Sequence, residues 1–328
     1  MNADVKLDSG AKPMESCSQD LLVGAASVPI NPPLGLPLIG YPSNRPNTGV
    51  ALDLCLRAAL FGGADSDSPA AALLVLDTLC VSARVVAALR TRAAEAVPGL
   101  DAATVMVAAT HTHSAPALFP MRKGGQVTPP DDAYVRQVVA AAGPVVRQAW
   151  QARECLRLRV GWTEVRLGHN RRVVDPSGKA VNEWLDPEGL HHGYTDPRVR
   201  FLAFHEAASS RVRLLLNTYG CHPVVLGPGN TKVSSDYPGH LVRTLETRTG
   251  ARLALHLTGA AANTNPRQAL AKEPEAPRPC GEALAQAILD ALPTARDVMA
   301  TPVVAHAERV TFALGPGARA NYAASDAE

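Results

Sequence analysis

The chain has 328 residues, of which 46% are hydrophobic and 4% aromatic, so it is long enough to bury a substantial core. Its formal net charge is +2 and its acidic and basic residues are interspersed, which argues against binding to nucleic acid or to an anionic membrane surface. No apolar stretch approaches the roughly 20 residues of a membrane span, and the polar N-terminus lacks the apolar core of a signal peptide. These features predict a cytoplasmic protein without a transmembrane segment.

The predicted elements follow a polar segment, residues 1–20, that is expected to be disordered. Apolar runs bounded by Gly, Pro or polar residues predict strands, and Ser or Asp before an apolar-periodic segment predicts the start of a helix. In chain order we predict a strand over 21–30, a Pro/Gly loop over 31–42, strands over 52–61 and 71–81, a helix over 82–96, a strand over 104–113, a helix from 131 or 132 to 149, a strand over 154–167, a hairpin of 198–207 with 211–223, a helix over 237–249, a strand over 251–261, a helix over 279–291 and a strand over 301–314. Gly143 and Pro144 are expected to break the second helix. The small-residue tail over 315–328 is expected to be flexible.

The order of these elements predicts an α/β protein, because strands and helices alternate without an internal repeat. The small number of helices favours a mixed β-sheet core flanked by helices over a strictly parallel sheet. No linker interrupts the middle of the chain, so residues 21–314 are predicted to form a single domain. The cysteines are scattered, and Cys55, Cys80 and Cys155, which lie in apolar runs, are expected to be buried free thiols.

Two histidines mark the end of one predicted strand. The stretch VAATHTHSAPAL (107–118) places His111 and His113 two residues apart, a spacing at which strand side chains share one face, about 6.6 Å apart. Imidazole nitrogens bind zinc at about 2.0–2.1 Å, and strand ends are where α/β proteins build their pockets. The pair is therefore a candidate metal site, the alternative being two polar residues that cap the end of a strand.

Two later junctions have the same character. NTYGCHPVVLGPGNTKVSSDYPG (217–239) carries an apolar strand into His222 and ends at Asp236, which either caps the next helix or faces the site as a polar group. LTGAAANTNPR (257–267) has small residues that let the backbone approach closely, with the amides of Asn263 and Asn265. Three such strand ends indicate one composed site.

These motifs, with GHNRR (168–172) and the opening VGAASVPINPPLGLPLIGYP, resemble the neutral/alkaline non-lysosomal ceramidase family, in particular its shorter bacterial members, over about residues 21 to 267. The resemblance implies a zinc-dependent hydrolase on a mixed α/β fold, which cleaves an N-acyl amide bond of a small-molecule or lipid amide through a metal-activated water. It implies that His111 and His222 bind the zinc and that His113 lies beside it. It also implies that Arg171 contacts a polar group of the substrate.

The sequence departs from the family pattern within the site. Asn263 and Asn265 stand where the family has an aspartate and a serine central to catalysis. The family completes its zinc shell with a Glu and a Tyr from further downstream, and Tyr322 and Glu328 are poor counterparts, so the chain is predicted to be truncated at its C-terminus. We therefore predict a catalytic set drawn from His113, Arg171, Asp236 and Asn263, and weak or absent hydrolysis of ceramide itself.

Three alternatives stay open. A catalytic zinc usually has three protein ligands, and candidates for the third are Asp77, Asp236, His191 and His192. A thiol or hydroxyl nucleophile with a histidine base would use Cys221 or Ser114, although neighbours on a strand point to opposite faces. The last alternative is a non-catalytic module that keeps the fold and a ligand pocket. The substrate is equally open, since a soluble acyl-amide fits as well as ceramide.

Overall fold

The computed structural model describes residues 20–42, 45–62, 68–123, 126–299, 303–306, 308, 310–311 and 313. Apart from Asp20, the segment predicted to be disordered lies outside these residues, and so does the predicted tail. The centre of the described part is one nine-stranded sheet. Its strands are β1 (Leu21–Pro29), β2 (Cys55–Gly62), β3 (Pro69–Leu76), β4 (Val105–Ala109), β5 (Glu154–Glu164), β6 (Arg198–His205), β7 (Val212–Tyr219), β8 (Leu253–Thr258) and β9 (Arg296–Val298). The helices are α1 (Ala83–Ala96), α2 (Asp132–Gln151), α3 (Asp236–Thr249) and α4 (Arg278–Ala291).

The sheet is mixed. Its strand order is β8-β7-β6-β5-β1-β2-β3-β4, and β9 pairs with β5 off this path. The outermost pairs, β3 with β4 and β7 with β8, are parallel, and the other pairs are antiparallel. Helix α1 connects the first parallel pair and α3 connects the second, as the long crossover between parallel strands requires. The predicted class, a mixed α/β sheet flanked by helices, is confirmed.

The helix caps follow the sequence. The side chain of Ser82 accepts a hydrogen bond from the backbone N–H of Val85 at α1, and Asp131 does the same for Tyr134 at α2. The predicted break in α2 is wrong, because the helix runs through Pro144 to Gln151. Proline removes one backbone hydrogen bond there, but the flanking turns are buried against α1 and the sheet, and this tertiary packing outweighs the local cost.

The sheet folds over on itself, so that its two halves face each other. Phe61 on β2 and Phe204 on β6 have ring centroids 5.9 Å apart, although β5 and β1 lie between their strands in the sheet order. A shared apolar layer between the halves includes Val23, Leu73 and Leu214. Helices α1 and α2 cover the outer face of the β1–β4 half, and α3 and α4 cover the outer face of the β6–β8 half. The result is a four-layer α/β/β/α arrangement with its seam between the halves.

Two further expectations are wrong. None of the described residues between 303 and 313 is in a strand, and the last strand is instead β9, which pairs with residues 158–160 of β5. On that edge β1 already occupies residues 154–156, which leaves room for only a short partner. Cys155 is disulfide-bonded rather than a free thiol, whereas Cys55 and Cys80 are free and partly buried. Among the residues described, no helix has the length and apolar character needed to cross a bilayer.

Candidate metal centre

The first two histidines lie in the loop after β4, not in a strand. The strand ends at Ala109, and the backbone of His111 adopts a φ of +69°, the left-handed region that few non-glycine residues enter. The two rings do lie close together, with centroids 5.3 Å apart. The expected reason, a shared face of one strand, is wrong, because both residues lie in the loop. Strained backbone of this kind is concentrated at functional sites.

The loop is tied to the sheet by Asp77 at the end of β3. The carboxylate of this buried residue accepts hydrogen bonds from Arg57 Nη1 at 2.6 Å, Cys55 N at 2.9 Å and Thr110 Oγ1 at 3.1 Å. Backbone bonds from Thr110 N to Leu76 O and from His111 N to Thr78 O continue this attachment, each at 2.9 Å. Both carboxylate oxygens of Asp77, considered above as a third metal ligand, are thus hydrogen-bonded to structural groups, and Asp77 does not belong to the histidine cluster.

The third histidine comes from the other half of the sheet. His222 follows β7, and its backbone N–H donates to Thr264 O at 2.8 Å. The loop at 259–266 therefore contributes backbone groups to the site, in keeping with its small residues. Across the seam, Thr258 Oγ1 donates to Thr110 O at 2.6 Å, which joins the end of β8 to the loop that carries His111.

The three rings are oriented by backbone carbonyls. The Nδ1 atoms of His111, His113 and His222 lie 2.7, 3.1 and 2.7 Å from the carbonyl oxygens of Leu79, Gly40 and Ala261, respectively. A carbonyl can only accept, so each Nδ1 carries the proton and each neutral ring presents a bare lone pair at Nε2. Carbonyl partners of this type fix the tautomer and orientation of metal-binding histidines.

The three lone pairs converge. The Nε2 atoms of His111 and His222 are 3.2 Å apart, and the ligand atoms of all three histidines lie within 4.8 Å of one another. Two ligands at about 2.05 Å in a tetrahedral arrangement would be about 3.3 Å apart. His113 Nε2 is buried and has no hydrogen-bond partner among the residues that the structure describes. Facing lone pairs repel unless a cation lies between them, so the donor set fits a metal ion.

The surroundings keep the three rings neutral. Burial, with a smaller effect of the adjacent His111 and His222, lowers the pKa of His113 to about 3. Burial is also the main cause that lowers the pKa of His222 to about 4, and it lowers the pKa of His111. Neutral imidazole is the form that binds metal, so no proton has to be displaced near neutral pH.

Arg171 stands beside this cluster. Its guanidinium stacks on the ring of Trp184 at 4.7 Å, and its backbone N–H donates to Asn263 O at 2.8 Å. After burial, the positive charge of Arg171 is a smaller cause that lowers the pKa of both His111 and His222. Its buried Nε has no hydrogen-bond partner.

The two asparagines of the small-residue loop differ in access. Asn263 is partly exposed, and Thr264 Oγ1 lies 3.4 Å from its side-chain oxygen. Asn265 is fully buried, with Nδ2 3.4 Å from Trp184 O and with Oδ1 unpartnered. Asn263 is thus the one that lies by Arg171 with an accessible amide, whereas a substrate cannot reach Asn265 without a rearrangement.

Asp236 does not belong to the three-histidine group. It is fully buried at the start of α3, and its carboxylate accepts the backbone N–H groups of Leu226 and Tyr237 at 2.9 and 2.7 Å. Burial raises its pKa to about 6, against the lowering effect of these amides. Its contacts hold the segment that follows His222, so Asp236 supports the position of the loop.

The other candidates lie apart from the cluster. The ring of His191 faces that of His169, with centroids 5.8 Å apart, and neither His191 nor His192 belongs to the three-histidine group. Burial raises the pKa of the Cys221 thiol well above its usual range, and Ser114 Oγ accepts a hydrogen bond from Asn230. These surroundings do not activate a thiol or hydroxyl nucleophile.

The N-terminal loop contributes residues that motif reasoning missed. Gly40 supplies the carbonyl for His113, the ring of Tyr41 lies 5.2 Å from that of His113, and Arg45 Nη2 donates to His113 O at 2.9 Å. The available signal was the Gly-Tyr-Pro sequence at 40–42, which stood out only as part of the family resemblance.

The profile described as neutral/alkaline non-lysosomal ceramidase, N-terminal, matches residues 22–265. A crystal structure of neutral ceramidase from Pseudomonas aeruginosa is similar with a TM-score of 0.70 and 19% identity, over 87% of this chain and 46% of that one. A structure described as ceramidase complexed with C2 is similar with a TM-score of 0.68 and 18% identity, over the same shares. This chain thus spans about half the length of these proteins and shares their fold. The curated proteins contain no match to the sequence.

Proposed function

Because this chain belongs to the neutral/alkaline non-lysosomal ceramidase family, we propose that it is a zinc-dependent amidohydrolase that cleaves the N-acyl bond of a small or lipid-like amide. The observation that carries the proposal is the convergence of three Nε2 lone pairs, each fixed by a carbonyl at Nδ1. Three imidazoles form a ligand set typical of catalytic zinc, which keeps a further position open.

In this proposal His111, His113 and His222 hold the zinc. Zinc in such a site acts as a Lewis acid toward a carbonyl and lowers the pKa of water. His113 thereby takes the place of a third ligand, a role that motif resemblance alone did not give it. The Nε2 atom of His113 is buried, and none of the described residues is hydrogen-bonded to it, so this atom is free to bind the metal.

The chain's own residues supply binding and orientation. Arg171, whose guanidinium lies over the ring of Trp184, would bind a polar group of the substrate next to the histidines. The side-chain amide of Asn263 can donate to or accept from the same substrate, but it is neither a base nor a nucleophile. Catalysis by the protein groups therefore consists of positioning and electrostatic stabilisation.

The test combines metal content with hydrolysis of short-chain N-acyl amides and of ceramide. The purified protein is expected to hold one zinc per chain, and His111→Ala and His222→Ala should lose both metal and hydrolysis while retaining the fold by circular dichroism. His306→Ala, which removes an exposed histidine outside the cluster, is the matched control. Metal-independent hydrolysis, or hydrolysis that survives both substitutions, would contradict the proposal.

His113→Ala separates two roles for this residue. If His113 is a ligand, zinc affinity falls along with hydrolysis, whereas a residue that only contacts substrate would leave zinc affinity intact. The measurement is a competition titration with a chromophoric chelator.

A second candidate function is a ligand-binding module without catalysis. It is favoured by the buried position of Asn265 and the neutral side chain of Asn263, since neither can serve as a general base or nucleophile. Folded, zinc-loaded protein that hydrolyses none of the amides would support this candidate.

A further inference from the structure

We infer that the substrate carries a carboxylate close to its scissile amide, as an N-acyl amino acid does, and that Arg171 binds this carboxylate. The inference rests on the proposed amide hydrolysis and adds the class of substrate. The reaction would add one water across the amide bond and release a fatty carboxylate and an amino acid.

Arg171 lacks the acidic partner that arginines in protein clefts commonly have. In the described part of the chain no carboxylate lies within ion-pair distance of its guanidinium, and its immediate neighbour, Arg172, is also cationic. Its buried Nε makes no hydrogen bond. A planar guanidinium with free donors is the group that best matches a carboxylate through two parallel hydrogen bonds.

The charge balance of the site points the same way. The buried aspartates of the described residues are all engaged elsewhere: Asp77 with Arg57, Asp186 with Arg267, and Asp236 with backbone amides. The three histidines are neutral, so a bound divalent ion and Arg171 together would leave the site strongly positive. A neutral amide would leave this charge uncompensated, whereas a carboxylate offsets part of it.

Arg171 is also held in place before any ligand binds. Its N–H donates to Asn263 O and its C=O accepts from Glu183 N, both at 2.8 Å, and its guanidinium carbon lies over the ring of Trp184, 4.7 Å from the centroid. The fixed backbone and the contact with Trp184 reduce the entropy that Arg171 loses on binding, which favours a specific anion contact. The backbone N–H of Arg171 donates to Asn263 O and that of His222 donates to Thr264 O, the next residue of the same loop. A carboxylate bound by Arg171 would therefore lie close to an amide held at the histidines.

The first experiment measures binding without turnover. Protein kept metal-free with EDTA is titrated calorimetrically with N-octanoylglycine and with N-octanoylethanolamine, which match in length but differ in charge. We expect the glycine conjugate to bind about 10-fold to 100-fold more tightly, as a charge-assisted bidentate contact allows. Arg171→Met should remove this preference, Arg171→Lys should keep part of it, and Arg172→Met, one residue along and exposed, should leave it unchanged. Equal affinities in the unsubstituted protein, or a preference that survives Arg171→Met, would overturn the inference.

The second experiment uses the zinc-loaded protein and compares kcat/KM for the same two amides. A preference for N-octanoylglycine that Arg171→Met abolishes through KM supports the inference. Hydrolysis of the ethanolamide that requires His111 but shows no preference for the carboxylate overturns the inference and leaves the amidase proposal standing. Conversely, Arg171-dependent binding of N-octanoylglycine with no hydrolysis of either amide supports the carboxylate site and contradicts the amidase proposal.

Discussion

Replacing Gly40 by alanine should weaken the metal centre from a position that contributes no ligand atom. Gly40 has a φ of +105°, and a Cβ there would lie 2.4 Å from His113 Nδ1, so the ring would have to move. The backbone carbonyl of Gly40 accepts the hydrogen bond from His113 Nδ1 that orients this ring, and a displaced ring would lose it. Loss of such an outer hydrogen bond typically costs about 10-fold to 100-fold in metal affinity. The backbone conformation adds a cost of about 1–3 kcal/mol to folding.

Gly35→Ala is the matched control, because Gly35 lies in the same loop with a φ of +88° and nothing within 4 Å of an added Cβ. Gly35→Ala should lower the free energy of unfolding in urea by a similar amount, because of the backbone strain, without lowering the affinity for zinc. Zinc dissociation constants are measured by chelator competition, and the visible spectrum of the cobalt-substituted protein reports the ligand geometry. Equal zinc affinities for the two variants would refute the argument that His113 is positioned by the carbonyl of Gly40 and by the absence of a side chain at this residue.

Three further substitutions test the supports of the site. Asp77→Ala should destabilise the fold by about 3–5 kcal/mol in urea unfolding, because it leaves the buried Arg57 unpaired; a loss below 1 kcal/mol would contradict this. Burial raises the pKa of Asp236 from its ordinary 3.8 to about 6, so the folded state holds this proton more tightly, and the free energy of unfolding should fall as the pH rises from about 4 to 6. Asp236→Asn should remove up to about 3 kcal/mol of that fall, and an unchanged pH profile would show that Asp236 does not titrate in this range. Trp184→Ala removes the platform under Arg171 and should raise KM more than it lowers kcat, with zinc content unchanged; loss of zinc would show that the tryptophan supports the metal ligands instead.

The sequence predicted the elements whose signals are local and strong. Ser82 and Asp131 start helices because their side chains accept backbone N–H groups within the first turn. The break expected at Pro144 failed because burial of the surrounding turns, a long-range effect, outweighs a local penalty. The strand expected after residue 300 failed for a related reason, since alternation cannot reveal whether a sheet edge is free.

The same distinction applies to the metal centre. His111 and His222 stood out because each follows an apolar strand, and the two Nε2 atoms indeed lie 3.2 Å apart. The groups that orient them are the carbonyls of Leu79 and Ala261, which any residue would supply, so they leave no trace in the sequence. The role of Arg171 came from family resemblance, because its distinguishing property is the absence of an acidic neighbour in space.

The folded-over sheet would give a metal ion bound at the three histidines a second role. His111 and His113 belong to the half of the sheet that ends in β4, whereas His222 belongs to the half that ends in β8, so an ion held by all three would crosslink the two halves at their seam. Such a link acts on the whole fold by mass action: an ion present at 100 times its dissociation constant adds about 2.7 kcal/mol to the stability of the folded state. The packing of the apolar layer between the halves and the affinity for the metal would then be thermodynamically coupled. A cavity opened at Phe61 or Phe204, in the apolar layer between the halves, would lower the affinity for the ion by the same free energy by which the bound ion opposes separation of the halves.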